Sequence, residues 1–350
     1  MQKMQQTPLQ EYICACFLKR NIFVKKYKTH VTFENEKQFQ QEYRQHLRMK
    51  GCTTDKQYSD VLSEVKKETE RRRSFHSLSL TNYQHFQSKY EKLHPEIWKL
   101  IPSFLDPRFV TITKDAQQMS GDSLLLSLVQ NGGYIAESAV YRLPVFTKEF
   151  CQQLVEEIKH FDKFPGKKSQ PNTMNSYGVS LDEMGLSDHL ITPLITEWLQ
   201  TLTRGLFHKW GGGTIDSFKA FIVRYDETGD KDLSLHYDNA EVTINIGLNS
   251  DYEGGDLQFG GIWGEEDTTQ NMIVMSHEIG HGILHCARQL HSALPITSGQ
   301  RYNLVIWMRS SSIRNHMCPM CGETPSLVAV PFAGEGFIVP STPHWLCSYL

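Results

Sequence analysis

No run of about 18 apolar residues, the length needed to cross a bilayer, occurs in the chain, and the opening stretch MQKMQQTPLQEY is too polar for a signal peptide. The expectation is a soluble, unsecreted protein of the cytoplasm or nucleus with no membrane partner. Cysteine is present but unpatterned: Cys14, Cys16, Cys52, Cys151, Cys286, Cys318, Cys321 and Cys347 show no regular spacing. That excludes a secreted disulfide framework and reads as thiols in a reducing compartment. Neither an internal repeat nor a low-complexity tract is found, and the formal net charge is only −3.

With 350 residues and 39% hydrophobic content, the chain can bury a full core as one large domain or two ordinary ones. The small net charge hides an asymmetry, because residues 1–110 carry +8 and the remainder −11. Nucleic acid is one partner a basic segment can take. Here acids interleave with the bases and no reader motif occurs, so a solvated helical face is expected, with association of the two regions as the alternative.

From Glu34 to Arg73 the sequence is rich in Glu, Gln, Lys and Arg with no proline, which predicts exposed helix. After Thr147, the segment KEFCQQLVEEIKHF repeats Phe150, Leu154, Ile158 and Phe161 at helical spacing, a helix expected to open a second domain. Beyond Phe218 the texture changes to short β-type runs, FIVRY, VTINIGL, LQFGG and YNLVIWM, which suggest an antiparallel sandwich or jelly roll. Residues 319–350 read as an irregular tail. The expected organisation is a basic, partly helical region over 1–130, a main domain over 140–312 with its core at 218–309, and a tail over 313–350.

Within LSLHYDNAEVTINIGLN, His236 and Asp238 stand two apart on an extended segment, so both can face one ion. Joined by His291 from another strand, they make the two-histidine, one-carboxylate face that leaves positions open for a 2-oxo acid and dioxygen. Arg301, ten residues after His291 and just past Ser298-Gly299, is placed by the sequence on the neighbouring strand. Its guanidinium can hold the distal carboxylate of 2-oxoglutarate through two parallel hydrogen bonds.

The segments RYDETGDKDLSLHYDNAEVTINIGLN, YEGGDLQFGG, LHCARQLH and GQRYNLVIWM resemble the prolyl 4-hydroxylase and lysyl hydroxylase group of 2-oxoglutarate-dependent dioxygenases. The resemblance runs from Phe218 to Arg309, and the helices upstream from Val145 suit it. It implies an α+β fold, a double-stranded β-helix (jelly roll) with flanking helices. It implies Fe(II) at His236, Asp238 and His291, 2-oxoglutarate at Arg301, L-ascorbate as reductant, and Tyr225 lining the cosubstrate pocket. The implied reaction is hydroxylation of a protein side chain with release of succinate and carbon dioxide. Where prolyl hydroxylases often place a tyrosine against the cosubstrate carboxylate, this chain has Ile246 and Gly247, which favours the lysyl pattern.

Two other constellations compete. His277, Glu278 and His281 spell HEIGH, a match to a zinc peptidase motif that needs a helix through Gly280, with His285 as a conceivable further ligand. A loop leading into the strand ILHCARQLH is the preferred reading. Cys318 and Cys321 form half of a structural zinc site, with Cys347, His316 or His344 as candidate partners. A catalytically silent binding module is the alternative of another class, and intact ligand residues argue against it.

Overall fold

The computed structural model describes residues 10–136, 139–264, 269 and 271–339. Its helices are α1 (Cys16–Lys19), α2 (Glu36–Met49), α3 (Asp55–Lys89), α4 (Pro107–Ala116), α5 (Gly121–Gln130), α6 (Lys148–Lys163), α7 (Leu181–Met184), α8 (Gln200–Leu206) and α9 (Ser311–Arg314). The α6 helix starts where expected. The Thr147 hydroxyl accepts from the Phe150 amide, and Phe150, Leu154, Ile158 and Phe161 are buried. Between Glu34 and Arg73 the expected exposed helix is two helices, because the chain turns at Gly51–Thr54. The second, α3, opens on a capping box made by Thr54 and Gln57 and buries one whole face. That face is apolar at Tyr58, Val61 and Val65 but polar at Arg72, His76, Ser79 and Asn82, so hydrophobicity alone did not mark it.

The larger sheet is built from β4 (Tyr134–Ala136), β5 (Val140–Pro144), β6 (Gly178–Ser180), β7 (Ser217–Asp226), β9 (Val242–Gly247), β13 (His281–Cys286) and β15 (Ile296–Arg309), in the order β4-β5-β13-β9-β15-β7-β6. A further strand, β10 (Tyr252–Gly254), adds to β15. The smaller sheet is β12-β11-β14-β8, from β8 (Leu233–His236), β11 (Leu257–Ile262), β12 (Ile273–Met275) and β14 (Gln289–Ala293). All these pairings are antiparallel. Two ribbons complete the set: β2 (Ile22–Val24) with β3 (Thr29–Val31), and β1 (Glu11–Cys14) with β16 (Leu327–Val330), which join the two ends of the described chain. A strand therefore lies within what the sequence suggested was an irregular tail.

Strand periodicity of two divides the core. Ala220, Ile222, Ile244, Ile246, Leu284, Leu304 and Ile306 point from the larger sheet to the helices, against Phe150, Leu154 and Ile158. Their neighbours Phe221, Val223, Tyr225, Ile283 and Val305 point the other way, against Leu257, Phe259 and Ala293 of the smaller sheet. Thr243, Asn245, His285, Arg301 and Asn303 share that second parity, so the polar residues of the larger sheet enter the space between the sheets. Among the described residues, no helix is long and apolar enough to cross a membrane.

Candidate functional site

His236 ends β8 and His291 lies opposite it on β14, paired through an irregular register. Asp238 follows β8, with its amide donating to the Ala287 carbonyl at 3.0 Å. One ligand atom from each of the three lies within 4.8 Å of the others. The Asp238 carboxylate sits 3.5 Å from His236 Nε2 and 3.6 Å from His291 Nε2. Both imidazoles are fixed from behind. His236 Nδ1 donates to Ser234 O at 2.8 Å and His291 Nδ1 to Gln289 O at 2.9 Å. That tautomer leaves each Nε2 lone pair facing the shared point, as a metal ligand needs.

Electrostatics agree with that arrangement. Burial alone would raise the Asp238 carboxyl, but the surrounding imidazoles of His291, His236 and His285 outweigh it and hold it below the usual carboxylate range. The Thr243 hydroxyl donates to Asp238 Oδ2 at 2.7 Å, fixing the carboxylate's rotation. Burial, then repulsion from His236, pushes His291 down to about 3, so it stands neutral and ready to coordinate. The donor set of two imidazoles and one carboxylate suits Fe(II), with the rest of its coordination sphere left to small ligands.

Arg301 stands on β15 directly across from Tyr225 on β7. It is the next strand in sequence after His291, yet it belongs to the facing sheet rather than to a neighbouring strand, because the chain changes sheets at Leu294-Pro295. Ser298 and Gly299 pair with β10 instead of forming that turn. The guanidinium is 1% exposed, lies 4.4 Å from the Tyr225 ring centroid, and its Nε and Nη1 have no hydrogen-bond partner. Burial lowers its proton affinity, yet an arginine stays charged. An unpaired buried cation costs several kcal/mol, on the order of 3–5, and a carboxylate is the kind of group such a guanidinium can pair with. Gly255 keeps the space open, since a Cβ there would lie 3.0 Å from Nη1. The Tyr225 hydroxyl accepts from Asn175 Nδ2 at 3.0 Å, which orients the phenol, and burial raises its pKa.

Several residues that complete this cavity were not singled out from sequence. Asn303 Nδ2 donates to Asn245 Oδ1 at 2.6 Å and lies 2.9 Å from His277 Nε2. Counting by twos along β15 from Arg301, and along β9 from Thr243, would have found both asparagines. Ile246 has the opposite parity and packs against the helices; Gly247 is the position that comes up against His277, whose Cβ would lie 3.1 Å from a Cβ there.

HEIGH is not a zinc peptidase helix. Residues 277–280 form a loop, His281 begins β13, and Gly280 has a φ of 78° with no room for a Cβ, 2.2 Å from Phe146 O. Glu278 pairs with Arg142 at 2.9 Å. ILHCARQLH is likewise not one strand but the crossing from β13 to β14 at Ala287-Arg288, so His285 and His291 approach from different sheets, with ring centroids 4.8 Å apart. The Cys318 and Cys321 thiols meet Cys14 and Cys16. His316 is not among that group, and His344 and Cys347 lie outside the described residues.

A cleft of about 390 Å³ opens onto His236. Phe17, Arg72 and His76 of the N-terminal region line it, together with Trp263 and Trp307 of the sheets and Met320 and Glu335 near the C-terminus.

The family model described as OGFOD2-like domain matches residues 86–212, which hold helices α4 to α8 and the strands β4, β5 and β6 of the larger sheet. The chain is 41% identical to 2-oxoglutarate and iron-dependent oxygenase domain-containing protein 2 of Xenopus tropicalis, covering 95% of each chain. It is 40% identical to the protein of that name in Homo sapiens, covering 93% of each. Among solved structures it is similar to a prolyl-4-hydroxylase of Pseudomonas putida, at 15% identity and a TM-score of 0.37, over 49% of this chain and 92% of that one.

Proposed function

The chain belongs to the family of 2-oxoglutarate and iron-dependent oxygenase domain-containing protein 2, and from that membership we propose an Fe(II)- and 2-oxoglutarate-dependent dioxygenase with iron at His236, Asp238 and His291 and the cosubstrate at Arg301 and Tyr225. We read the two facing sheets as a double-stranded β-helix, or jelly roll. The dioxygenase unit then spans 140–312, extended by β4. The observation that carries the reading is the buried Arg301 guanidinium with two orphaned nitrogens, in the same space between the sheets as the three meeting ligand atoms.

Bound iron, with 2-oxoglutarate and dioxygen, supplies an oxidation in which the 2-oxo acid becomes succinate and carbon dioxide and a substrate C–H bond becomes C–OH. The residues of this chain do the positioning. His236 and His291 present their Nε2 lone pairs because their Nδ1 protons are committed to backbone carbonyls. Thr243 holds Asp238 in one rotamer. Arg301 orients the far carboxylate by charge and by its fork geometry. The apolar walls Phe221, Val223, Phe259 and Val305 exclude water from the space around the reacting atoms. By likeness to the hydroxylases, L-ascorbate is the proposed reductant.

The substrate class follows from the cleft. It is wide, aromatic and open at His236, which suits an extended protein segment offering one side chain; a lysyl residue ranks ahead of a prolyl one because Gly247 stands where prolyl hydroxylases often carry tyrosine. The test is to incubate the iron-loaded protein with 2-oxoglutarate, isotopically heavy dioxygen and cell-extract proteins, then to map the label by mass spectrometry. Heavy oxygen on lysyl side chains, absent with His236→Ala, is the expected result. Label found only on small molecules or nucleic acid would overturn the protein-substrate reading.

A further inference from the structure

Four thiols from opposite ends of the chain converge outside the site described above. Cys14 ends β1 and Cys16 begins α1, while Cys318 and Cys321 flank a turn after α9. Backbone pairing holds the two segments together. Cys14 is in register with Leu327, and the Ala15 amide donates to Ser326 O at 2.7 Å. The turn closes on itself, with Cys318 N donating to Glu323 O at 2.8 Å and Gly322 N to Cys318 O at 2.9 Å. All four Sγ atoms lie within 4.8 Å of one another, and three of the four cysteines are buried.

The spacing discriminates between the ways such a cluster can be used. Cys16 Sγ and Cys318 Sγ are 3.7 Å apart, far beyond the roughly 2.05 Å of a disulfide. An ion bound tetrahedrally at about 2.3 Å from each sulfur sets its sulfurs about 3.8 Å apart. We propose that Cys14, Cys16, Cys318 and Cys321 bind one structural zinc ion as four thiolates, releasing their four protons on binding. Four soft sulfur donors select zinc over the harder Fe(II) that the histidine and aspartate set suits. A closed set of four protein ligands leaves no position for a substrate.

The site goes beyond the proposed oxygenase chemistry, but it bears on it. Among the described residues the surrounding apolar cluster is thin, with Phe337 the one other buried member, so hydrophobic burial alone gives this corner little stability. Phe17 and Arg20 come one and four residues after Cys16, Pro319 and Met320 lie between the other two ligands, and all four line the cleft that opens at His236. Zinc thereby fixes one wall of the cleft by tying the N-terminal and C-terminal segments together.

Metal analysis of the full chain, purified without added metal and dialysed against a mild chelator, should give about one zinc per chain. An organomercurial that modifies the four thiols should release it. Cys14→Ser and Cys318→Ser should each lose the zinc, whereas His236→Ala should keep it. Because either serine variant could unfold, cobalt substitution of the native protein supplies a second readout. Intense visible bands and a thiolate charge-transfer absorption are expected from a tetrahedral tetrathiolate site. A folded native protein without zinc whose cobalt form shows only the weak bands of a nitrogen and oxygen site would overturn the assignment, as would disulfides among these four cysteines.

Discussion

At the scale of single residues, the proposed metal site depends on groups that would never touch the metal. Thr243 is one. Replacing it with valine keeps the shape but removes the hydrogen bond to Asp238 Oδ2, so the carboxylate is freer to rotate. Partners of this kind are worth roughly 10–100-fold in metal affinity. Iron binding by Thr243→Val, measured by anaerobic titration, is expected to weaken by that factor with the fold intact; unchanged affinity would contradict the role. Histidine burial gives a second prediction. Burial holds both His285 and His291 below their ordinary value of 6.5, His291 to about 3. Both are neutral in the fold, while an unfolded chain takes up protons near 6.5, so acid favours unfolding. Their contribution to stability is present above about 6.5 and is lost as pH falls toward 3. The melting temperature of the metal-free protein should therefore drop between pH 7 and pH 5, and less so for His285→Gln. Parallel slopes would contradict it.

Also at this scale, the positions that meet as a triad were legible because His-x-Asp on an extended segment is a short-range pattern and His291 stands in a separate β-type run, where the structure has it at the middle of β14. The partners of Cys318 and Cys321 were not legible, because Cys14 and Cys16 are some 300 residues away and nothing local marks them as ligands.

Among the elements, α3 does the least expected work. Arg72, 1% exposed, donates to Glu68 at 2.8 Å and to the carbonyls of Phe17, Arg20 and Asn21 at 2.8–2.9 Å. It thus clamps the segment that forms one wall of the cleft. Arg72→Met removes a buried charge from its partners and leaves those carbonyls unsatisfied, at a cost of roughly 3–5 kcal/mol. Urea denaturation should show that loss, and limited proteolysis should nick near Asn21 first. A loss below about 1 kcal/mol, the worth of an exposed pair, would contradict the clamp. The sequence indicated polar helix here but not its burial, because the buried face carries hydrogen-bonding residues rather than apolar ones. Strands β7, β9 and β15 were legible as apolar β-type runs, because both faces of the larger sheet are covered. The crossing at Ala287-Arg288 was not, because the apolar run continues through it while the chain changes sheets.

For the molecule as a whole, the charge asymmetry finds an internal use. Basic N-terminal residues meet acids of the rest of the chain: Lys25 pairs with Asp230, Lys28 with Asp232 at 3.6 Å and Arg20 with Glu323 at 2.9 Å. Association of the two regions is what the structure displays; Asp230 is buried, while the more exposed pairs Lys28–Asp232 and Arg20–Glu323 contribute little to stability individually. The ends of the described chain share a sheet, the N-terminal region lines the cleft, and His236 of the histidine and aspartate group opens onto it. The central claim is that these parts serve an iron and 2-oxoglutarate site. Calorimetric titration of 2-oxoglutarate into the anaerobic Fe(II)-loaded protein, alongside His236→Ala and Arg301→Ala, tests it without requiring the prime substrate. Saturable binding by the native protein that both variants lose is the predicted result. A native protein that takes up neither iron nor 2-oxoglutarate would contradict the account.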